Sequence, residues 1–231
     1  MDAVSLALGP ARVTWSGRAQ GHLGLPRAGA PDDEPVRLEA RRRALVDLRW
    51  SWVRQVHGAD VISVEERSPA SGLHEADGLV TASPGLALAV FTADCAPLAM
   101  TSTEGVIGIA HAGWRGLVAG VVASTAQAMR GLGAGPITAI LGPCIRAGCY
   151  EFGAAELDGV AAVLGEGVRS KTTWGTPALD LAAAVRSAAA FADVDIVGDL
   201  GACTACSDAW FSHRARGEPA RQATVIWMPE W

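Results

Sequence analysis

The chain has 231 residues, of which 50% are hydrophobic, and its formal net charge is −5 at pH 7. This length and composition suit a globular protein with a substantial core and exclude a disordered chain. A chain with this net negative charge lacks the basic surface that nucleic acids require, so we expect no nucleic-acid partner.

The N-terminal region and the hydropathy pattern predict where the protein acts. No apolar stretch approaches the roughly 20 residues needed to span a bilayer, so we expect no membrane association. The first residues include Asp2 and lack a basic region, and Gly9-Pro10 interrupts their apolar segment. A secretory signal is therefore not predicted. We expect a cytoplasmic protein whose cysteines stay reduced, and the odd count of five is consistent with this.

Hydrophobic periodicity predicts a single α/β domain over residues 1–231, with a mixed β-sheet flanked by helices. Strands are predicted at residues 12–15, 50–56, 61–64, 77–81, 86–92, 137–141, 194–197 and 224–228, with a further apolar strand that ends at His111. Helices are predicted at residues 35–48, 115–132, 150–164 and 180–192. The basic run Arg41-Arg42-Arg43 lies on the first of these helices, where we expect a solvated face.

Three potential metal ligands lie at the ends of apolar strands. His57 follows the strand that contains Trp50, Cys95 ends a second apolar run, and His111 ends a third. Two histidines and one cysteine suit a catalytic zinc site, which has three protein ligands and one open position. We hypothesise that these three residues converge on one metal ion; buried structural side chains are the alternative. Asp94, next to Cys95, is a candidate carboxylate for orienting a ligating histidine.

Several short sequence blocks occur in register from about Trp50 to the C-terminus. They are W-x-x-Q-V-H-G, A-D-G-L-V-T, T-A-D-C-A-P-L, A-H-A-G-W-R-G, L-G-P-C-I, C-Y-E-F-G, F-S-H-R and R-Q-A-T-V-I-W. Together they resemble the laccase-domain, or polyphenol-oxidase-type, purine nucleoside phosphorylase family. The resemblance implies a fold similar to that of cysteine hydrolases. It also implies zinc bound by the catalytic residues His57, Cys95 and His111.

The resemblance further implies the substrates and the reactions. These are phosphorolysis of adenosine, inosine, guanosine and methylthioadenosine, and deamination of adenosine. Deamination is chemically reasonable because zinc lowers the pKa of bound water to about 7 and so generates a hydroxide at neutral pH. Purine nucleosides and phosphate are therefore the expected small-molecule partners.

Substrate-binding residues are expected around this centre. Arg115 lies at a predicted helix start, where backbone amides favour an anion such as phosphate. Arg18 lies roughly where the family carries an N-terminal arginine, although the local sequence S-G-R-A-Q-G lacks the family's paired glycines. Gln55, Asp94 and His213 complete the predicted substrate-binding set.

Two other activities stay open from the sequence alone. Two histidines and a cysteine also describe a blue-copper centre, which makes copper the alternative metal and phenol oxidation an alternative reaction. Multicopper electron transfer would need more histidine ligands than a chain with five histidines supplies. The other alternative is a metal-free hydrolase or deamidase, with Cys95 as nucleophile and His111 as base.

Cys203-Thr204-Ala205-Cys206 has the spacing of redox or metal-binding pairs. The sequence contains no second pair with which to complete a four-thiolate zinc site, so the role of these two cysteines stays open. Cys144 and Cys149 are predicted to be core or loop thiols.

Overall fold

The computed structural model describes residues 2–25, 35–65 and 71–229. Within these ranges the strands are β1 (Val4–Leu8), β2 (Ala11–Trp15), β3 (Arg49–Arg54), β4 (Val61–Ser63), β5 (Ser71–Glu75), β6 (Gly78–Thr81), β7 (Leu86–Thr92), β8 (Ala96–Ser102), β9 (Ile107–Ala112), β10 (Ile137–Leu141), β11 (Arg169–Lys171), β12 (Pro177–Leu179), β13 (Val194–Asp199) and β14 (Gln222–Trp227). The helices are α1 (Pro35–Leu45), α2 (Trp114–Ala119), α3 (Val121–Gly131), α4 (Ala154–Leu164), α5 (Leu181–Phe191) and α6 (His213–Arg216).

Two six-stranded sheets form the centre of the fold. The first has the order β1-β2-β14-β7-β3-β5 and the second has the order β13-β10-β8-β9-β6-β4. Both are mixed: β3 runs parallel to β7 while β14 runs antiparallel to it, and β10 pairs parallel with β13 but antiparallel with β8. The predicted α/β class with mixed pairing and flanking helices is confirmed, and its strands divide between two sheets.

Strand β7 shows how the two sheets pack. Leu88 and Val90 of β7 belong to an apolar cluster that also contains Leu79 of β6 and Ile109 of β9, from the other sheet. The alternate residues of β7 face the opposite side, where Phe91 contributes to a different cluster. Because both faces of β7 are buried, its sequence is a continuous apolar run. Each large aliphatic side chain buried in this way stabilises the fold by about 1.5–3 kcal/mol.

Helices cover the outer faces of both sheets. Met129 of α3 and Val185 of α5 pack with Met100 of β8 against the second sheet, and Leu38 of α1 packs with Ala89 of β7 against the first. The layers therefore follow the order helix, sheet, sheet, helix. In the part of the chain that the structure describes, no helix is both long and apolar enough to cross a membrane.

Arg42 of α1 is buried, which corrects the prediction of a solvated face. Its guanidinium donates hydrogen bonds to the carbonyls of Leu23 and Gly24 and lies 4.2 Å from the ring centroid of Trp52. Burial lowers the pKa of Arg42 to about 10. Helical periodicity could not show this, because the partners come from the segment before the helix and from the first sheet.

Some predicted boundaries also differ from the structure. The helix predicted over residues 115–132 is divided into α2 and α3 at Gly120, which has a φ of 93°. This left-handed conformation is readily adopted by glycine and interrupts the helix. No strand is predicted at residues 71–75, but they form β5 because Trp52 and Arg54 of β3 pair with Ser71 and Glu75.

Candidate metal centre

Antiparallel pairing of β8 with β9 brings Cys95 and His111 together. In this register Pro97 pairs with His111 and Ala96 pairs with Ala112. Cys95, one residue before β8, therefore lies opposite Gly113. His111 is the penultimate residue of β9, close to the predicted strand end, whereas Cys95 precedes β8 and does not end β7.

His57 lies in a loop beyond β3, not directly at a strand end as predicted. Its φ is 62°, in the left-handed region, which costs a non-glycine residue about 1–2 kcal/mol. The backbone amides of Val56, His57 and Gly58 donate to the carboxylate of Asp77 at 3.1, 3.0 and 2.7 Å. These charge-assisted bonds offset the strain and hold the imidazole at the centre.

Asp77 also orients His111. Its Oδ1 accepts a hydrogen bond from Nδ1 of His111 at 2.7 Å, which leaves Nε2 available as a ligand. The geometry follows from the pairing of β6 with β9, because Gly78 lies opposite Ala110. Burial alone would raise the pKa of Asp77, but its bonds to His111 and to the loop amides lower that pKa below its usual value. Asp77 is therefore a buried carboxylate that positions two of the three candidate ligands, His57 and His111.

The donor atoms of His57, Cys95 and His111 lie within 4.8 Å of one another. Sγ of Cys95 is 3.8 Å from Nε2 of His57, and the two imidazole centroids are 4.8 Å apart. Tetrahedral zinc with one sulfur and two nitrogen ligands places donor atoms about 3.3–3.6 Å apart. The side chains therefore fit a metal ion with small adjustments, and we call these three residues the metal centre.

Cys95 and His111 influence each other's charge. Burial raises the pKa of the Cys95 thiol, but the charge of His111 and hydrogen bonds from both histidines outweigh it and lower the pKa to about 6. Burial lowers the pKa of His111, but the Cys95 thiolate and Asp77 raise it to about 9. These opposite shifts favour a thiolate paired with an imidazolium at neutral pH.

This charge state predicts how metal affinity depends on pH. The metal needs a thiolate and a neutral imidazole, so between pH 6 and 9 the proton on His111 must be displaced when the ion binds. We expect zinc affinity to rise by about tenfold per pH unit in that range, because one proton is released per ion bound. Calorimetric titration in buffers of different ionisation enthalpy measures the released proton. A zinc affinity independent of pH from 6 to 9 would contradict the charge assignment.

Gly113 leaves room for the metal centre. A Cβ atom at this position would lie 2.9 Å from a carbon of the His57 ring and 3.1 Å from Sγ of Cys95. Its φ of −73° suits any residue, so the constraint is contact and not backbone strain. We expect Gly113→Ala to displace these ligands and weaken zinc binding by about tenfold or more.

The matched control for this variant is Gly131→Ala, where nothing lies within 4 Å of the added methyl group. Equilibrium dialysis against a zinc chelator compares the two proteins. Equal zinc affinity in both would show that the close contact at Gly113 does not constrain the centre.

The metal centre opens into a cavity of about 210 Å³. Its apolar lining includes Leu25, Val53 and Phe91, and its polar lining includes Arg54, Gln55, His213 and Arg221. Apolar walls with a few polar groups are typical of small-molecule sites. The cavity is thus a candidate substrate site with candidate metal ligands in its wall.

Two of the residues predicted to bind substrate, Gln55 and His213, line this cavity. The amide of Gln55 donates to the carbonyl of Phe91 and accepts from its backbone N–H, at 2.9 and 2.8 Å. Gln55 therefore fixes Phe91 in the cavity wall by extending the contact between β3 and β7.

Asp94 does not line the cavity and does not orient a histidine, in contrast to the prediction. Its carboxylate accepts hydrogen bonds from the hydroxyls of Thr204 and Ser212 and from the backbone N–H of Arg214. It thereby holds the start of α6, and with it His213, beside the metal centre. The carboxylate that contacts one of the candidate ligand histidines, His111, is Asp77.

Arg18 and Arg115 also lie away from the cavity lining. Arg18 forms an ion pair with Glu218 at 2.7 Å and donates to the carbonyls of Asp208 and Trp210. Arg115 is exposed and stacks on the indole of Trp114, 4.3 Å from the ring centroid. The positions of these two arginines do not support their predicted phosphate roles; among the described residues, the arginines that line the cavity are Arg54 and Arg221.

A layered α/β scaffold that places a thiol and two histidines, one of them oriented by a carboxylate, at a cavity is typical of a metal-binding enzyme. More specifically, the chain belongs to the family described as multi-copper polyphenol oxidoreductase laccase, whose sequence profile matches residues 25–229. This membership confirms the family resemblance seen in the sequence blocks.

The similarity to two sequence relatives and to one solved structure extends over almost the whole chain. A Streptomyces griseus protein named purine nucleoside phosphorylase is 38% identical over 225 residues, covering 93% of this chain and 91% of the relative. A Deinococcus radiodurans protein of the same name is 38% identical, covering 99% and 92%. A crystal structure of a Neisseria meningitidis protein is similar with a TM-score of 0.87 and 26% identity, covering 100% of both chains.

Proposed function

We propose that the protein is a zinc-dependent purine nucleoside phosphorylase that also deaminates adenosine. The observation that carries this proposal is the convergence of His57, Cys95 and His111 at one cavity, with His111 oriented by Asp77. The names of its relatives support the phosphorolytic activity. The proposed substrates are adenosine, inosine, guanosine and methylthioadenosine, together with phosphate.

Different residues of the chain would bind the metal, orient a metal ligand and contact the purine. His57, Cys95 and His111 would hold the metal, and Asp77 keeps Nε2 of His111 directed toward it. When bound, the metal would supply Lewis acidity and lower the pKa of a neighbouring water molecule. Phe91, fixed by Gln55, provides an apolar surface suited to a purine ring.

Phosphorolysis needs a positioned anion. A phosphate oxygen forms a bond to C1′ of the ribose while the C1′–N9 bond breaks, and the purine leaves with a proton. Arg54 and Arg221 line the cavity and offer the guanidinium groups that suit phosphate. His213, at the start of α6, lies in the same lining and is the candidate proton donor to the leaving purine.

Chromatography of adenosine incubated with the purified, zinc-loaded protein tests the proposal. With phosphate we expect adenine and ribose 1-phosphate, and without phosphate we expect inosine. If neither product appears although zinc is verified at the metal centre, the proposed function is contradicted.

We expect Arg221→Ala to reduce phosphorolysis by about 10-fold to 100-fold, because a charged hydrogen bond to phosphate contributes about 1.5–3 kcal/mol. Phosphate-free deamination should change much less. Arg115→Ala is the matched control, since Arg115 is exposed and lies outside the cavity lining. Initial rates of both reactions, measured over a range of phosphate concentrations, separate the two variants. Equal losses in both reactions for Arg221→Ala would assign Arg221 a general structural role.

A metal-free cysteine hydrolase is a second candidate, favoured by the contact between Cys95 and His57 and by the low thiol pKa of about 6. In that reaction Cys95 would attack the substrate directly. Chelation followed by return of zinc decides between the two functions. Activity that survives verified removal of metal would favour the hydrolase, and activity restored by zinc would favour the phosphorylase.

Copper-dependent phenol oxidation receives less support from the site. Among the described residues, the potential metal-binding clusters are the metal centre and a group of three cysteines. A multicopper oxidase requires several histidine-rich sites, which a chain with five histidines does not provide.

A further inference from the structure

Cys149 comes together with two cysteines that lie far from it in the sequence, Cys203 and Cys206. Cys149 ends a 3-10 turn at Ala147–Cys149, and Cys203 and Cys206 lie on one turn between β13 and α6. Their sulfur atoms all lie within 4.8 Å of one another, and those of Cys149 and Cys206 are 3.2 Å apart. We call these three residues the thiol cluster. The fold thus supplies the third thiol that the C-x-x-C spacing lacked.

The thiol cluster shares no residue with the metal centre. Cys149 lines a different cavity of about 620 Å³, together with Glu151, Trp174 and Arg214. Cys206 is exposed, and Cys149 and Cys203 are half-buried, so an ion has access from solvent.

The sulfur separations suit a metal ion. Zinc–sulfur bonds of about 2.3 Å in a tetrahedron place sulfur atoms about 3.8 Å apart. This value lies between the 3.2 Å that separates the sulfur atoms of Cys149 and Cys206 and the upper limit of 4.8 Å for the cluster. The backbone N–H of Arg146 lies 3.5 Å from Sγ of Cys203, as expected for an outer-shell donor to a ligating sulfur.

We propose that Cys149, Cys203 and Cys206 form a separate thiolate site for a borderline or soft metal ion, represented by Zn²⁺, with an open fourth position. Three thiolates select such ions over magnesium or calcium, which prefer oxygen ligands. The site is independent of the function proposed for the metal centre.

An ion at this position would join two parts of the chain. It connects the turn that ends at Cys149 to the segment 203–216. Within that segment, Thr204 and Arg214 bond to the carboxylate of Asp94. The thiolate site would therefore stabilise the segment that carries His213 into the other cavity, a structural role.

Zinc content and cobalt spectra test the site without any activity measurement. Proteins are purified and loaded anaerobically with a phosphine reductant, so that no Cys149–Cys206 disulfide forms. In the Cys95→Ala background, which lacks the thiolate of the metal centre, we expect one zinc ion per chain. We expect Cys95→Ala/Cys206→Ser and Cys95→Ala/Cys149→Ser to lose this ion, and Cys95→Ala/Cys144→Ala to keep it. With Co²⁺, thiolate charge-transfer absorption should persist in Cys95→Ala and disappear in the first two double variants.

Two results would contradict the proposed site. One is that Cys95→Ala binds no ion, and the other is that Cys95→Ala and Cys95→Ala/Cys206→Ser bind equal amounts of zinc. A Cys149–Cys206 disulfide that persists in reductant and excludes zinc, detected by mass spectrometry of peptides, would also overturn it and identify the pair as a redox element. Circular dichroism verifies that each variant is folded before zinc is counted.

Discussion

After dialysis against a zinc chelator, Cys95→Ala is expected to retain one equivalent of zinc less than the unmodified protein and to lose measurable phosphorolysis and deamination. The substitution removes the thiolate from the metal centre and leaves two imidazoles. Structural zinc sites bind with about 10–16 kcal/mol over four ligands, so one ligand contributes roughly 3 kcal/mol, or a factor of about 100 in affinity. Zinc stoichiometry after dialysis, combined with a nucleoside assay, measures both effects.

The control for Cys95→Ala is the same substitution at Cys144. The Cys144 thiol is fully buried, lies outside the cavity lining, and has a pKa raised to about 12, mainly by burial. Cys144→Ala should therefore keep both zinc content and turnover. If Cys95→Ala binds as much zinc as the unmodified protein, Cys95 is not a ligand.

Local patterns predicted several elements of the fold with close bounds. β10 has the predicted bounds, and α5 begins one residue after Asp180, whose side chain caps it by accepting from the backbone N–H of Ala183. These features depend on residues close together in the chain. For the same reason, the residue types His57, Cys95 and His111 could be recognised before the fold was known.

Pairing between distant segments could not be predicted in the same way. Asp77 lies next to a short apolar strand, and only the register of β6 with β9 places its carboxylate at His111. Asp94 was predicted to orient a histidine because it is adjacent to Cys95. Its side chain instead bonds to the segment that includes Ser212 and Arg214. The sequence signal that pointed to Asp77 was an acidic residue directly before a glycine and an apolar strand.

The position of Arg221 at the cavity and the position of Cys149 in the thiol cluster could not be predicted for the same physical reason. Arg221 reaches the cavity because its strand neighbour β14 pairs with β7, which ends beside the metal centre. Cys149 meets Cys206 because the chain around Cys144 forms a bridge with Cys203. Both contacts join residues far apart in sequence, so composition and spacing carry little information about them.

Asp77→Asn is expected to weaken zinc binding by about 10-fold to 100-fold, the usual effect of removing an outer-shell carboxylate. All the groups that face Asp77 are donors: Nδ1 of His111 and the backbone amides of Val56, His57 and Gly58. Asparagine keeps one acceptor oxygen but turns an NH₂ group toward donors, which leaves buried hydrogen-bonding groups unpaired. Such a loss costs about 1–3 kcal/mol of folding free energy. Both ligands should therefore lose orientation together.

Asp94→Asn separates this effect from the general cost of neutralising a buried carboxylate. Asp94 is also buried and accepts three hydrogen bonds, but from Thr204, Ser212 and Arg214, none of which belongs to the metal centre. We expect Asp94→Asn to lower stability while retaining the zinc affinity of the metal centre, since only the segment around His213 loosens. Chemical denaturation and competitive zinc titration of both variants measure stability and affinity separately. Equal zinc affinity in the two variants would show that Asp77 stabilises the fold without orienting the ligands.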